Sequence, residues 1–143
     1  SEKCPGMPID KNIREDGSLW NELNKLYFEG LRTLSFSGAE PLNEWVFFHS
    51  ASRTLIVTDA AFHFDESFPL VNQLAARVLG CYGQLSPSLF ERIGTNDKTA
   101  LKASVEAVLR WDFDRVVMAH GQVIERGGKA MWKAGYERFF LRL

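Results

Sequence analysis

The chain has 143 residues, 45% of them hydrophobic, which suits one domain with a self-sufficient core and no need of disulfide or metal staples. A formal net charge of −1, with Lys and Arg dispersed along the sequence, offers no electrostatic footprint for nucleic acid or anionic lipid. A small molecule or another protein is the expected partner.

The two cysteines, Cys4 and Cys81, stand far apart without a CxxC or Cys/His cluster, which speaks against a disulfide framework or structural zinc and for a reducing cytoplasm. No apolar run is long enough to span a bilayer, and the N-terminus lacks the basic-then-apolar order of a leader. The chain starts at Ser1, and the opening Cys4-Pro5-Gly6-Met7-Pro8 reads as a crossing inside a domain. The expectation is a single domain over residues 1–143 that lacks its N-terminal half.

Asp16-Gly17-Ser18 offers a helix cap, with Leu19, Leu23, Leu26 and Tyr27 following at helical spacing for two turns. Alternation from Arg32 to Phe36 predicts a half-buried strand, broken by Gly38-Ala39-Glu40-Pro41. Two β-branched and aromatic runs, Glu44 to His49 and Thr54 to Thr58, flank a short polar turn and predict an antiparallel hairpin. Pro69 to Leu79 carries Leu70, Leu74, Val78 and Leu79 on one face ahead of Gly80, predicting a helix with a C-terminal stop.

A short helix near Pro87 would use Leu89, Phe90 and Ile93 as apolar contacts. Thr95-Asn96-Asp97 caps an amphipathic helix built on Leu101, Val105, Val108 and Leu109. The apolar run Arg115 to Ala119, ended by His120-Gly121, is the pattern of a buried strand stopping at a glycine turn. Beyond Gly127-Gly128, which reads as a helix-entry turn, Trp132, Tyr136, Phe139, Phe140 and Leu143 form an aromatic stripe on a last helix.

Ligands in open α/β sheets collect beyond the carboxyl ends of strands, and Asp59 and His120 stand at two such ends. Asp59 is either a turn-capping carboxylate or a cation ligand, and His120 either a structural histidine or a ligand for zinc, iron or manganese. His63, four residues after Asp59, would share its face if Ala60 to Phe64 were helical and could add a second nitrogen; packing between Phe62 and Phe64 is the alternative. His49, Ser52 and Asp59 hold the residue types of a nucleophilic triad, but Ser52 lacks a Gly-x-Ser-x-Gly elbow, and hairpin-turn chemistry accounts for it. Cys81 follows a helix C-terminus, where the dipole disfavours a thiolate.

The segments Asn43 to Asp59 and Trp111 to Gly121 resemble an uncharacterised bacterial family of the metallo-β-lactamase fold superfamily, and the resemblance covers most of the chain after Cys4. It implies an αββα sandwich of which this chain is the C-terminal part, with an antiparallel hairpin and a late buried strand flanked by helices. In the superfamily the aspartate matched by Asp59 bridges two metals, the histidine matched by His120 binds the second, and metal-bound water attacks an ester, amide, thioester or phosphodiester. The His-x-His-x-Asp-His motif of the superfamily does not occur, and Ala39 stands where a further ligand histidine is often found.

The function expected from these residues is a metal-dependent hydrolase of a small molecule, in which Asp59, His120 and His63 hold a divalent metal such as zinc, iron or manganese. The alternative is a catalytically inactive, metal-free binding or assembly module on the same fold, and a metal-independent esterase using Ser52 and His49 is a third reading. Half a sandwich would leave a sheet face to cover, which favours homo-oligomers.

Overall fold

The structure, a computed structural model, describes residues 17–30, 32–35, 38–41 and 44–143. In chain order its elements are β1 (Gly17–Trp20), β2 (Leu23–Tyr27), β3 (Arg32–Ser35), β4 (Gly38–Pro41), β5 (Trp45–His49) and β6 (Thr54–Val57). There follow α1 (Leu70–Leu79), α2 (Leu89–Gly94), α3 (Lys98–Leu109), β7 (Arg115–Met118) and α4 (Gly128–Phe140). They make a mixed α/β architecture: a five-stranded sheet in the order β1-β2-β5-β6-β7, and a separate β3-β4 pair.

The hairpin expected from residues 44–58 forms, with Phe47 opposite Ile56 and His49 opposite Thr54. Strand β7 joins β6 in parallel, after a crossover through α1, α2 and α3. Alternation along the strands sends Val46, Phe48, Leu55, Val57, Val116 and Met118 to one face. There they meet Leu101, Val105 and Val108 of α3 and Trp132, Tyr136 and Phe139 of α4 in a single core. The opposite face carries Phe47, Ile56 and Val117, which the register sets in one row across β5, β6 and β7.

Two expectations need correction. Residues 17–27 form a β-hairpin rather than a helix, because β2 finds a five-residue antiparallel partner in β5, with Leu23 opposite His49 and Tyr27 opposite Trp45. Pairing with a distant strand outweighs a local helical spacing of leucines; Asp16, the expected cap, lies outside the described residues. Gly38 to Pro41, read as a strand breaker, is itself a strand paired with β3, while Phe36 of the expected strand lies outside the described residues.

The helices expected from Pro69 onward form where expected. Asp97 caps α3 by accepting the N–H groups of Thr99 and Ala100. At the end of α1, Gly80 takes the left-handed conformation (φ 81°), which costs glycine little, and its N–H closes the helix onto the carbonyls of Ala76 and Arg77. α2 begins with a reciprocal capping box between Ser88 and Glu91. Among the described residues no helix is long and apolar enough to cross a membrane.

The apolar faces of α1 and α2 depart from expectation. α1 buries Gln73 and Ala76 and turns Leu70, Val71, Leu74 and Val78 outward, at 80%, 78%, 64% and 70% exposure. Gln73 faces inward because its amide donates to the carbonyls of Glu66 and Phe68, and its carbonyl accepts from Tyr82 and Arg77. In α2, Phe90 and Ile93 are also exposed.

Candidate functional site

The parallel register of β6 and β7 sets Val57 beside Met118, and the N–H of Ala119 donates to the carbonyl of Val57 at 3.1 Å. Two parallel strands in register end together, so the residues just past their ends come side by side. Asp59 Oδ1 and His120 Nε2 accordingly lie 3.6 Å apart, with the carboxylate side chain 41% and the imidazole 62% exposed. A pair so open to water is screened and contributes about 0–1 kcal/mol to stability.

The turn that carries Asp59 is held from beneath by a buried carboxylate. Glu44, 1% exposed at the head of β5, accepts the N–H groups of Thr58 (2.9 Å) and Ala60 (3.3 Å) and the hydroxyl of Thr58. Three donors offset the desolvation of this carboxylate and fix the backbone on both sides of Asp59. Sequence reasoning missed this role for Glu44; the available signal was a charged residue at the head of an apolar, aromatic strand.

His63 reaches the same end of the sheet through its backbone rather than as the next turn of a helix. Its carbonyl accepts the N–H of Gln122 at 2.7 Å, and it bridges to Gly121 in parallel. The approach is so close that a Cβ on Gly121 (φ 133°) would stand 2.4 Å from the His63 carbonyl oxygen. Only glycine fits there. Phe62 stacks on the His120 ring, centroids 6.1 Å apart and planes 12° apart.

The Nδ1 of His63 is buried with no hydrogen-bond partner. Asp65, two residues on, is held below the ordinary carboxylate range mainly by hydrogen bonds from Ser67, with a smaller electrostatic pull from His63. Among the described residues no group of three or more His, Cys, Asp or Glu side chains is placed to hold a metal ion. A catalytic zinc usually takes three protein ligands and an open position. The Asp59–His120 pair by itself falls one ligand short of such a centre.

Two of the groups named for a nucleophilic triad also come together in space. His49 Nδ1 and Ser52 Oγ are 2.7 Å apart, and Ser52 also shares a hydrogen bond with the Thr54 hydroxyl. The carboxylate facing the far side of this imidazole is Glu22, 3.5 Å from His49 Nε2, and not Asp59. These groups sit at the exposed β5-β6 turn, where the N–H and hydroxyl of Ser50 both donate to the Glu22 carbonyl and tie it to the β1-β2 turn. Turn stitching accounts for all of these contacts. Cys81 is buried, and burial pushes its thiol up to about 11, so it is not a poised nucleophile.

A scan against protein-family models matches none for this chain, and a search of curated proteins finds no matching relative.

Proposed function

We propose that the chain is a binding and assembly module that associates with a second copy of itself through the outer face of α1. The observation that carries this reading is the inverted burial of that helix, which shows water four large aliphatic side chains and keeps Gln73 inside. A contiguous exposed apolar face is a candidate interaction surface. The only charged residue in α1 is Arg77, whose guanidinium lies over the Tyr82 ring at 3.6 Å, so the aliphatic stripe itself carries no charge. Val71, Leu74 and Val78 follow a heptad seam, which is self-complementary across a two-fold axis.

At on the order of 80 Å² per side chain, four residues supply roughly 300 Å² a side, against the ~800 Å² of a standard interface. The dimer is therefore weak and concentration-dependent unless further surface joins it. The partly exposed Phe47–Ile56–Val117 row is a further apolar surface, and it supports reading the sheet as one layer of a metallo-β-lactamase-like αββα sandwich. The free, buried Cys81 accords with a reducing cytoplasm. Sedimentation velocity over a concentration series tests the proposal: the average mass rises toward that of a dimer, and Leu74→Glu abolishes the rise. A concentration-independent monomer, or an unchanged dimer in Leu74→Glu, overturns it.

A second reading, a metal-dependent hydrolase acting on a small molecule, draws on the meeting of Asp59 and His120 at the strand ends and on the unpartnered Nδ1 of His63. It needs at least one ligand more than the pair supplies. Metal analysis after equilibration with zinc decides it: about one ion per chain, lost in Asp59→Ala, supports the hydrolase, and a metal-free protein ends it.

A further inference from the structure

Away from the strand ends, the C-terminal end of α1, the start of α2 and the last turn of α4 line a half-open cavity of about 210 Å³. Four arginines line it, Arg77, Arg92, Arg138 and Arg142, together with Ser86 and Ser88, and no Asp or Glu belongs to its wall. A chain of net charge −1 thus gathers four positive charges around one small space.

A cluster of arginines on a protein surface is ordinarily solvated, and arginines at the ends of helices favour the carbonyl pole of the dipole. The Nε of Arg138 does not fit that description, because it is buried and donates to nothing. A buried guanidinium N–H without an acceptor costs free energy comparable to a lost charged hydrogen bond. Two neighbours of the cavity have their polar atoms engaged already. Glu91 is taken up by the N–H and hydroxyl of Ser88, and Arg77 is steadied by Gln73 Oε1, 3.4 Å from both of its terminal nitrogens. Among the described residues, none of the ion pairs formed includes Arg77, Arg92, Arg138 or Arg142.

The geometry points to an oxyanion site in this cavity that takes a phosphate group, either as free phosphate or on a compact phosphomonoester. The guanidinium fork matches the tetrahedral oxygens bidentately, which a carboxylate-free wall of arginines is suited to exploit. The size agrees, since 210 Å³ lies below the roughly 300 Å³ at which drug-sized pockets begin. An anion there offsets the concentration of four guanidiniums around one small space. The pocket borders the α1 interface proposed above and shares Val78 with it, but Arg92 and Arg138 stand on α2 and α4 and can be altered without touching that face.

Isothermal titration of the full chain with inorganic phosphate and, separately, glycerol phosphate at constant ionic strength is the test. Saturable binding is expected with a Kd of about 1 mM or tighter. It should weaken at least about tenfold in Arg138→Gln and in Arg92→Gln and be unchanged in Arg110→Gln, which lies outside the cavity. Binding of glycerol phosphate alone assigns the site to phosphomonoesters, and binding of both admits free phosphate. The Arg92 variant keeps the test decisive if Arg138→Gln does not fold. No saturation by either anion up to about 20 mM, twentyfold above the expected Kd, or affinity that survives the Arg92 and Arg138 substitutions, overturns the assignment.

Discussion

Helices α1 and α4 carry the same kind of amphipathic pattern and use it in opposite ways. α4 closes the core with Trp132, Tyr136 and Phe139, at 0%, 1% and 4% exposure, and the Tyr136 hydroxyl donates to the Ala60 carbonyl at 2.6 Å. Burial and that phenol's surroundings hold its pKa well above the ordinary tyrosine range. α1 points its aliphatic stripe at water. Hydrophobic periodicity therefore states that a face wants cover; it does not state what covers it. In α4 the cover is the sheet, and in α1 the buried side is decided by Gln73, whose amide closes the loop at Glu66 and Phe68.

The contrast is broken most directly by truncating one large side chain on each helix. Trp132→Ala removes a fully buried indole and is expected to cost about 3–5 kcal/mol, read by urea denaturation. Leu74→Ala, on a 64% exposed position, is expected to change monomer stability by no more than about 0.5 kcal/mol. Comparable losses from both would mean that α1 is covered within the monomer and would remove the basis for self-association.

A smaller effect sharpens the same boundary where α1 ends, at buried Cys81. Its thiol is raised to about 11, so the fold favours the protonated form. The associated stability is fully present below the ordinary thiol pKa and is lost as the pH rises through about 11. At pH 8, alkylation of Cys81 by iodoacetamide, followed apart from Cys4 by peptide mapping, should run far slower in the native chain than in the urea-unfolded chain, and the native rate should climb toward pH 11. Equal rates at pH 8 would show that this end of α1 opens readily.

Much of the architecture was legible because it is local. The hairpin over residues 44–58, the Asp97 cap, the glycine stop at Gly80 and the strand ending at His120 each announce themselves within a dozen residues. The hairpin over residues 17–27 was not legible, because β2 is held between β1 and β5, and leucines at helical spacing say nothing about a partner that lies beyond residue 44. The outward face of α1 was hidden for the same reason. In the site, the strand-end positions of Asp59 and His120 could be read, but their adjacency depends on the parallel register of β6 and β7. Glu44 needed three-dimensional bookkeeping of N–H groups before its support of Asp59 came into view.

The parallel pairing of β6 with β7 also bears on how the chain folds. The β5-β6 hairpin has a short turn to close, whereas β7 pairs with β6 across a connection that holds α1, α2 and α3. Asp59 and His120 are thus brought together by one of the most non-local contacts in the sheet, and their meeting is expected to follow closure of the hairpin. A fluorescent or spin-label pair on these two exposed side chains would time the completion of folding, while a pair on His49 and Thr54 would time its start.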